Sequence, residues 1–259
     1  MFSKEYLSAR IAHIQSEIKK LPHGSYGCSR GKDVLYISYS PSDSSISWKN
    51  SRRYFLNTAR GIKYSSEIDK SNALRKELED LYSEWHTSYK GEPFMMDKPI
   101  KRITGKLNYE FFQKTNGEQN PGEYKDSIEY KGIRFKSKNE VLAAQILDKL
   151  KVEYKFEPKL ILEGKTIYPD FLIGAVEVDK SAYVEIYGMM EDYEYIDINA
   201  KKNAKYLRAG LRQGSDYIPF YSGDAKTFDV EAFEMQIKAW LELAAEEIVR
   251  QAAGEGEKT

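Results

Sequence analysis

Two carboxylates of this chain stand where carboxylates are costly. Asp170 lies in the run Ile167-Tyr168-Pro169-Asp170-Phe171-Leu172-Ile173, and Glu185 lies in Ala182-Tyr183-Val184-Glu185-Ile186-Tyr187. Both runs are otherwise apolar and read as strands. An ionised carboxylate in such surroundings is expensive to bury unless something pairs with it. The connection between the runs, residues 174–181, is short enough for a hairpin that sets the two acids side by side. They could then chelate one ion together. Pro169 suits an edge or bulge position, from which the chain can aim Asp170 outward. Two convergent carboxylates are the minimum for metal-assisted hydrolysis of a phosphodiester. The ion polarises the phosphate and lowers the pKa of a bound water. A cation beside the reaction centre would stabilise the developing charge.

The remaining composition narrows the ion. There is one cysteine, Cys28, and there are three histidines, His13, His23 and His86, which excludes a Cys-rich zinc site and disfavours a His-rich one. The expected metal is a hard ion held by oxygen, Mg²⁺ or Mn²⁺. Hydrophobic residues make up 41% and charged residues 31%, a mixture that supports a buried core and argues against wholesale disorder. Lys plus Arg equals Asp plus Glu at 40 each, so only local clustering can speak for a polyanionic partner. One cluster does. Between Asp43 and Glu67 no acid occurs, whereas Lys49, Arg52, Arg53, Arg60 and Lys63 do, interleaved with Trp48, Tyr54, Phe55 and Tyr64. Such a stretch could grip phosphates while its rings stack on bases. The plain alternative is a solvated strand and helix face. The 20 tyrosines suit base stacking and β-rich cores equally.

Pro169-Asp170, followed fifteen residues later by Glu185, resembles the signature of the PD-(D/E)XK nucleases. An upstream helix with an early acid, here Glu140 in the segment that begins at Ser137, belongs to the same pattern. The sequence from Val184 through Gly188-Met189 into the lysine-bearing segment is similar to a bacterial and phage branch of that superfamily. The likeness covers about residues 130–222. It implies an α/β fold with a restriction-endonuclease-like core, a mixed central sheet flanked by helices. It implies a Mg²⁺- or Mn²⁺-dependent nuclease, acting on DNA rather than RNA, with Asp170, Glu185 and Glu140 at the metal. One departure stands out. The family's lysine lies two residues after the second acid, on the same side of the strand, and here that position is Tyr187. In the similar branch a helix lysine takes the role, and Lys202 aligns with it because Tyr206 follows four residues on. Lys201 and Lys205 are the alternatives. Tyr187, Tyr206 and Lys205 are candidate site neighbours, and each tyrosine also fits a half-buried aromatic. Without a lysine in reach, the domain would bind nucleic acid or a protein partner with little turnover. Ser137-Lys138-Asn139-Glu140 also reads as a capping box, which explains Glu140 with no metal. The two roles can coexist.

The elements that must position these residues follow from periodicity. Residues 3–21 read as an amphipathic helix (Tyr6, Leu7, Ile11, Ile14, Ile18, Leu21), residues 34–40 as a strand, and 65–89 as a long helix. The stretch 91–127, punctuated by glycine and proline, reads as a linker or crossover. Strands are expected over 132–136, 152–157, 159–163, 166–173, 182–187 and 216–221, and helices from Ser137 to about Lys151 and over 194–209. A last amphipathic helix, 229–251, carries Phe233, Ile237, Trp240, Leu241 and Ile248. Its acidic side is a poor nucleic-acid surface and a candidate for packing on the N-terminal helices or on a second subunit. The domain reading is thus 1–90 as an N-terminal region that binds substrate, 91–127 as linker, 128–225 as nuclease core, 226–252 as C-terminal helix and 253–259 as a disordered tail. Charges run through the N-terminal segment, and no apolar block suits a signal peptide or a membrane span. The expectation is a cytoplasmic protein, free of membrane, whose oligomeric state is open to a homo-oligomer.

Overall fold

The computed structural model describes residues 2–38, 51–92, 107–122, 127–188, 191–222 and 227–252. Trp48, Lys49, Met189 and the tail 253–259 lie outside the described residues. The chain divides into two compact units, Leu7–Pro99 and Ile100–Thr259, the second joined by Met1–Tyr6.

The first unit pairs helices with a small sheet. Helix α1 (Lys4–Lys20) leads into it, and its stripe of Leu7, Ile11 and Ile14 is fully buried. Strands β1 (Gly24–Ser29), β2 (Lys32–Ser38) and β3 (Ser51–Phe55) form an antiparallel sheet in the order β1-β2-β3. Helix α2 (Ala59–Ser88) starts earlier than its apolar stripe suggests, because Thr58 caps it by accepting the Gly61 N–H at 3.1 Å. Arg10 of α1 donates to Glu77 of α2 at 2.7 Å, and Gln15 donates to the Tyr82 hydroxyl at 2.7 Å. Strand β1 has no apolar alternation and is absent from the expected elements. Its Gly24 is needed for closeness, since a Cβ there would meet the Tyr36 carbonyl oxygen at 2.8 Å.

The second unit carries the acids. Its elements are α3 (Tyr109–Lys114), β4 (Ile128–Tyr130), β5 (Ile133–Phe135), α4 (Lys138–Lys149), β6 (Glu153–Phe156), β7 (Leu160–Leu162), β8 (Lys165–Ile167), β9 (Phe171–Ala175), β10 (Lys180–Tyr187), α5 (Tyr193–Arg208), β11 (Tyr217–Tyr221) and α6 (Val230–Ala252). The main sheet has the order β11-β10-β9-β6; β10 and β11 run parallel and the other neighbours antiparallel. Parallel neighbours need a crossover, and α5 is its helix. Strands β4 and β5 form one separate hairpin, and β7 and β8 another. The fold is mixed α/β, with six α-helices among the described residues. No helix among them is long and apolar enough to cross a membrane.

Strand alternation sorts the sheet into two faces. On one face Phe171, Ile173, Ala182, Val184, Ile218 and Phe220 are all buried. Helix α6 lies on it, with Phe233 edge-on to Phe220 at 5.1 Å and α4 packed alongside. The apolar stripe of α6 therefore serves this sheet. On the other face Leu172, Tyr183 and Tyr217 join Phe112 of α3 and Tyr206 of α5 in a second cluster.

Two expected segments differ from the structure. The stretch 91–127 holds α3, which is part of the core. A Cβ on Gly174 would come within 2.5 Å of the Phe112 ring, so the missing side chain is what lets α3 sit on β9. The Ser181 N–H ties the same segment down by donating to the Leu107 carbonyl at 2.9 Å. Residues 166–173 are two strands. Strand β8 pairs with β7, whereas β9 joins the main sheet. Pro169, which lacks an N–H to continue a ladder, stands at the break. Asp170 thus occupies a bend at the mouth of β9 rather than the middle of a strand.

Candidate active site

The bend and the hairpin bring the two acids together. Phe171 pairs with Val184 in the ladder, and one further step of that register sets Asp170 across from Glu185. The Ile186 N–H donates to Asp170 Oδ2 at 2.7 Å and fixes the carboxylate. The Asp170 carbonyl accepts the Glu157 N–H at 3.0 Å and fixes the backbone. Glu185 shares the parity of Tyr183 and Tyr187, so it points toward α5. There the Lys202 ammonium meets both of its oxygens, Oε1 at 2.6 Å and Oε2 at 2.7 Å. The Tyr206 hydroxyl donates to Oε1 at 2.5 Å. Glu185 is 1% exposed and Tyr206 is fully buried.

Glu140 approaches from the first turn of α4. Ser137 caps that helix by accepting the Glu140 N–H at 3.2 Å. The return bond goes one residue further back than a capping box requires: Glu140 Oε2 accepts the Lys136 N–H at 2.8 Å.

The three acids repel one another. Burial, and after it the charge of Asp170, pushes Glu185 up to about 7 despite Lys202 and Tyr206. The same two causes push Glu140 up to about 7. Asp170 is also raised, because burial outweighs Lys202, the Ile186 N–H and Lys136. The residue is half-buried, and its Oδ1 has no hydrogen-bond partner among the described residues. Excess negative charge on hard oxygen donors is what a divalent ion offsets. Mg²⁺ characteristically takes one or two protein carboxylates and fills its other positions with water and phosphate. The Asp170–Glu185 pair fits that demand. Among the described residues no three His, Cys, Asp or Glu side chains converge into a cage. Glu140 therefore flanks the pair and does not complete it.

Of the three helix lysines, only Lys202 reaches the acids. Lys201 pairs with Asp197 at 2.5 Å on an exposed face. Lys205, expected as a site neighbour, acts instead on Glu163, which Arg208 binds at 2.6 Å. Helix phase decides this: position 205 falls on the side toward Glu163. Tyr187 substitutes for no lysine. Its buried hydroxyl donates to Asn203 Oδ1 at 2.7 Å and shares a bond with the Tyr217 hydroxyl at 2.8 Å. Tyr217 stacks flat on Tyr206 at 4.1 Å. These rings hold Tyr206, and through it Glu185.

Several residues near the acids were not foreseen: Lys136, Glu157, Tyr195, Asn199 and Asn203. A signal for three of them existed. Tyr195, Asn199, Lys202, Asn203 and Tyr206 recur at helical spacing, a polar stripe on a helix that must cover a sheet. Lys136 and Glu157 carried no such mark.

The basic stretch belongs to the first unit. Arg52 and Arg53 are exposed, but as adjacent strand residues they point to opposite faces. Arg53 donates to Ser29 Oγ at 2.7 Å and lies over Phe55 at 5.4 Å. Arg60 and Lys63 are exposed on α2, with Lys63 3.9 Å from Glu67. The structure thus gathers these cations on no common strand face. Comparison of the chain with protein-family models, with curated proteins and with solved structures finds no match.

Proposed function

We propose that the second unit is a metal-dependent nuclease of the restriction-endonuclease-like type, hydrolysing phosphodiester bonds in nucleic acid, DNA in preference to RNA. The observation that carries this reading is the trio of Asp170, Glu185 and Lys202, two acids across one hairpin with a lysine on both oxygens of the second. Asp170 and Glu185 would hold Mg²⁺ or Mn²⁺, with Glu140 beside them. When bound, the ion supplies a polarised phosphate and a water of lowered pKa. The protein's own groups do the rest. The Ile186 N–H and Tyr206 hydroxyl fix the two carboxylates, so no reorganisation is needed at reaction. Lys202 places positive charge beside Glu185, where it offsets charge gathering on the phosphate. The Oδ1 of Asp170, which has no hydrogen-bond partner among the described residues, is where substrate would enter.

A second reading has one observation in its favour. Lys202 already satisfies both Glu185 oxygens, and among the described residues no third acid completes the set. On that reading the domain binds nucleic acid or a protein partner with little turnover. One experiment separates them: cleavage of DNA and RNA in Mg²⁺ and in Mn²⁺ by the wild type, Asp170→Ala and Lys202→Ala. The nuclease reading expects each variant to lose at least about 100-fold. Equal cleavage by all three rejects it. Ion binding by the wild type with no cleavage of any substrate favours the binding module.

A further inference from the structure

Lys202 leaves part of the problem unsolved. Its ammonium is committed to both oxygens of Glu185, so it acts on a phosphate through its charge and makes no direct contact. A second cation, Lys136, also acts on Asp170. Lys136 lies in the bend between β5 and α4, and its backbone N–H donates to Glu140 Oε2 at 2.8 Å. Its ammonium forms an ion pair with Glu157 Oε1. Glu157 in turn donates its backbone N–H to the Asp170 carbonyl. Lys136 is therefore bonded directly to Glu140 and reaches the Asp170 backbone through Glu157, and its charge acts favourably on both acids.

Glu157 is built to hold that lysine. Its side chain is 4% exposed, against 27% for Lys136. Asn120 Nδ2 donates to the same Oε1 at 2.8 Å. Its backbone has φ 45°, a left-handed conformation that costs a residue with a Cβ about 1 kcal/mol. Glu157 is not a ligand candidate, so a phosphate that meets Lys136 takes no charge from the Asp170–Glu185 pair. Beside Glu157 opens a cavity of about 450 Å³, lined also by Asn120, Ser127 and Arg134. Arg134 lies in β5, and Lys136 stands in the bend just beyond it. Lys136 thus links Glu140 to Glu157, which lines this cavity.

We propose that Lys136 is the phosphate-contacting cation of this site, held by Glu157 for a non-bridging oxygen of the scissile phosphodiester. This rests on the nuclease reading above. Lys202 then secures Glu185, and Lys136 meets the substrate.

The test must separate a substrate contact from a mere counter-ion, because Lys136→Met alone strands the buried Glu157 charge. Glu157→Gln and the double variant Lys136→Met/Glu157→Gln avoid this. With Mn²⁺ and a DNA substrate, Glu157→Gln, which loosens the holder but keeps the cation, is expected to lower kcat/KM about 10-fold, whereas the double variant falls by at least about 100-fold. Mn²⁺ affinity, read by calorimetry, is expected to be equal or tighter in the double variant than in Glu157→Gln, since between those two a repelling charge is gone. Lys136→Arg is expected to keep most of the activity. Cleavage by the double variant equal to that of Glu157→Gln overturns the proposal, and so does a parallel loss of Mn²⁺ affinity. Failure of the nuclease reading looks different. There Asp170→Ala and wild type bind Mn²⁺ equally, and the proposal falls with it.

Discussion

The two faces of the four-stranded sheet are made from the same strands and could hardly differ more. Toward α6 the strands present Phe171, Ile173, Ala182, Val184, Ile218 and Phe220, all apolar and all buried. Toward α5 they present Tyr183, Glu185, Tyr187 and Tyr217, met by Lys202, Asn203 and Tyr206. Alternation of side chains along a strand makes this division possible. The first face stabilises the fold by burial. The second holds carboxylates at raised pKa, which works against the fold. A protein carries such a burden where the groups have a task.

That contrast can be broken, and the largest effect is expected on the apolar side. Phe233→Ala removes a fully buried ring from the contact with Phe220. It should cost roughly 4 kcal/mol of unfolding free energy by denaturant titration, with cleavage per folded molecule unchanged. An equal loss of specific activity would mean that the two faces are not separable.

The polar side should show itself in pH. Glu140 and Glu185 titrate near about 7 in the fold, against an ordinary 4.5. Between those values the native chain holds protons that the unfolded chain has released. Stability is therefore expected to fall as pH rises from about 4.5 to about 7, by on the order of 3 kcal/mol for each of the two groups, and to level off above. Added Mn²⁺ should raise Tm at pH 8 and hardly at all at pH 5. A stability curve that rises through this window would contradict the repulsion among the acids.

A smaller effect sharpens the role of the tyrosines. Tyr206→Phe keeps the ring on Tyr217 and deletes the hydroxyl bonded to Glu185. It should cost about 1.5 kcal/mol, the worth of a hydrogen bond to a charged group, and lower cleavage about 10-fold. The smallest changes belong to the lysines that point away. Lys201→Ala and Lys205→Ala should each stay within about 0.5 kcal/mol in stability and leave cleavage intact. A large loss in either would reassign the helix lysine.

Much of this arrangement was legible in the residues. The hydrophobic period located α4, α5, α6 and the strands of the main sheet to within a few positions. The short 174–181 connection and the parity of Glu185 were enough to place two acids on one hairpin. What escaped notice depended on contacts distant in sequence. Six-residue α3 is too short to show a period, and only the bare Gly174 surface explains its place. Asp170 was read as mid-strand because an apolar run does not reveal where it changes sheet partner. Lys136 and Glu157 are 21 residues apart and meet only through the bend before α4 and the end of β6. The choice among Lys201, Lys202 and Lys205 needed the helix phase relative to the sheet, which no count along the chain supplies.

The parallel pairing of β10 with β11 has a wider consequence. Joining those strands forces a helix to span them, and the connection delivers that helix to the side where Glu185 emerges. A basic residue on its inner surface arrives at the acid as dependably as one two steps along the strand. The architecture thus offers two interchangeable addresses for one charge. Tyr187, two steps along the strand, is a structural ring, and the cation beside Glu185 comes from the helix at Lys202.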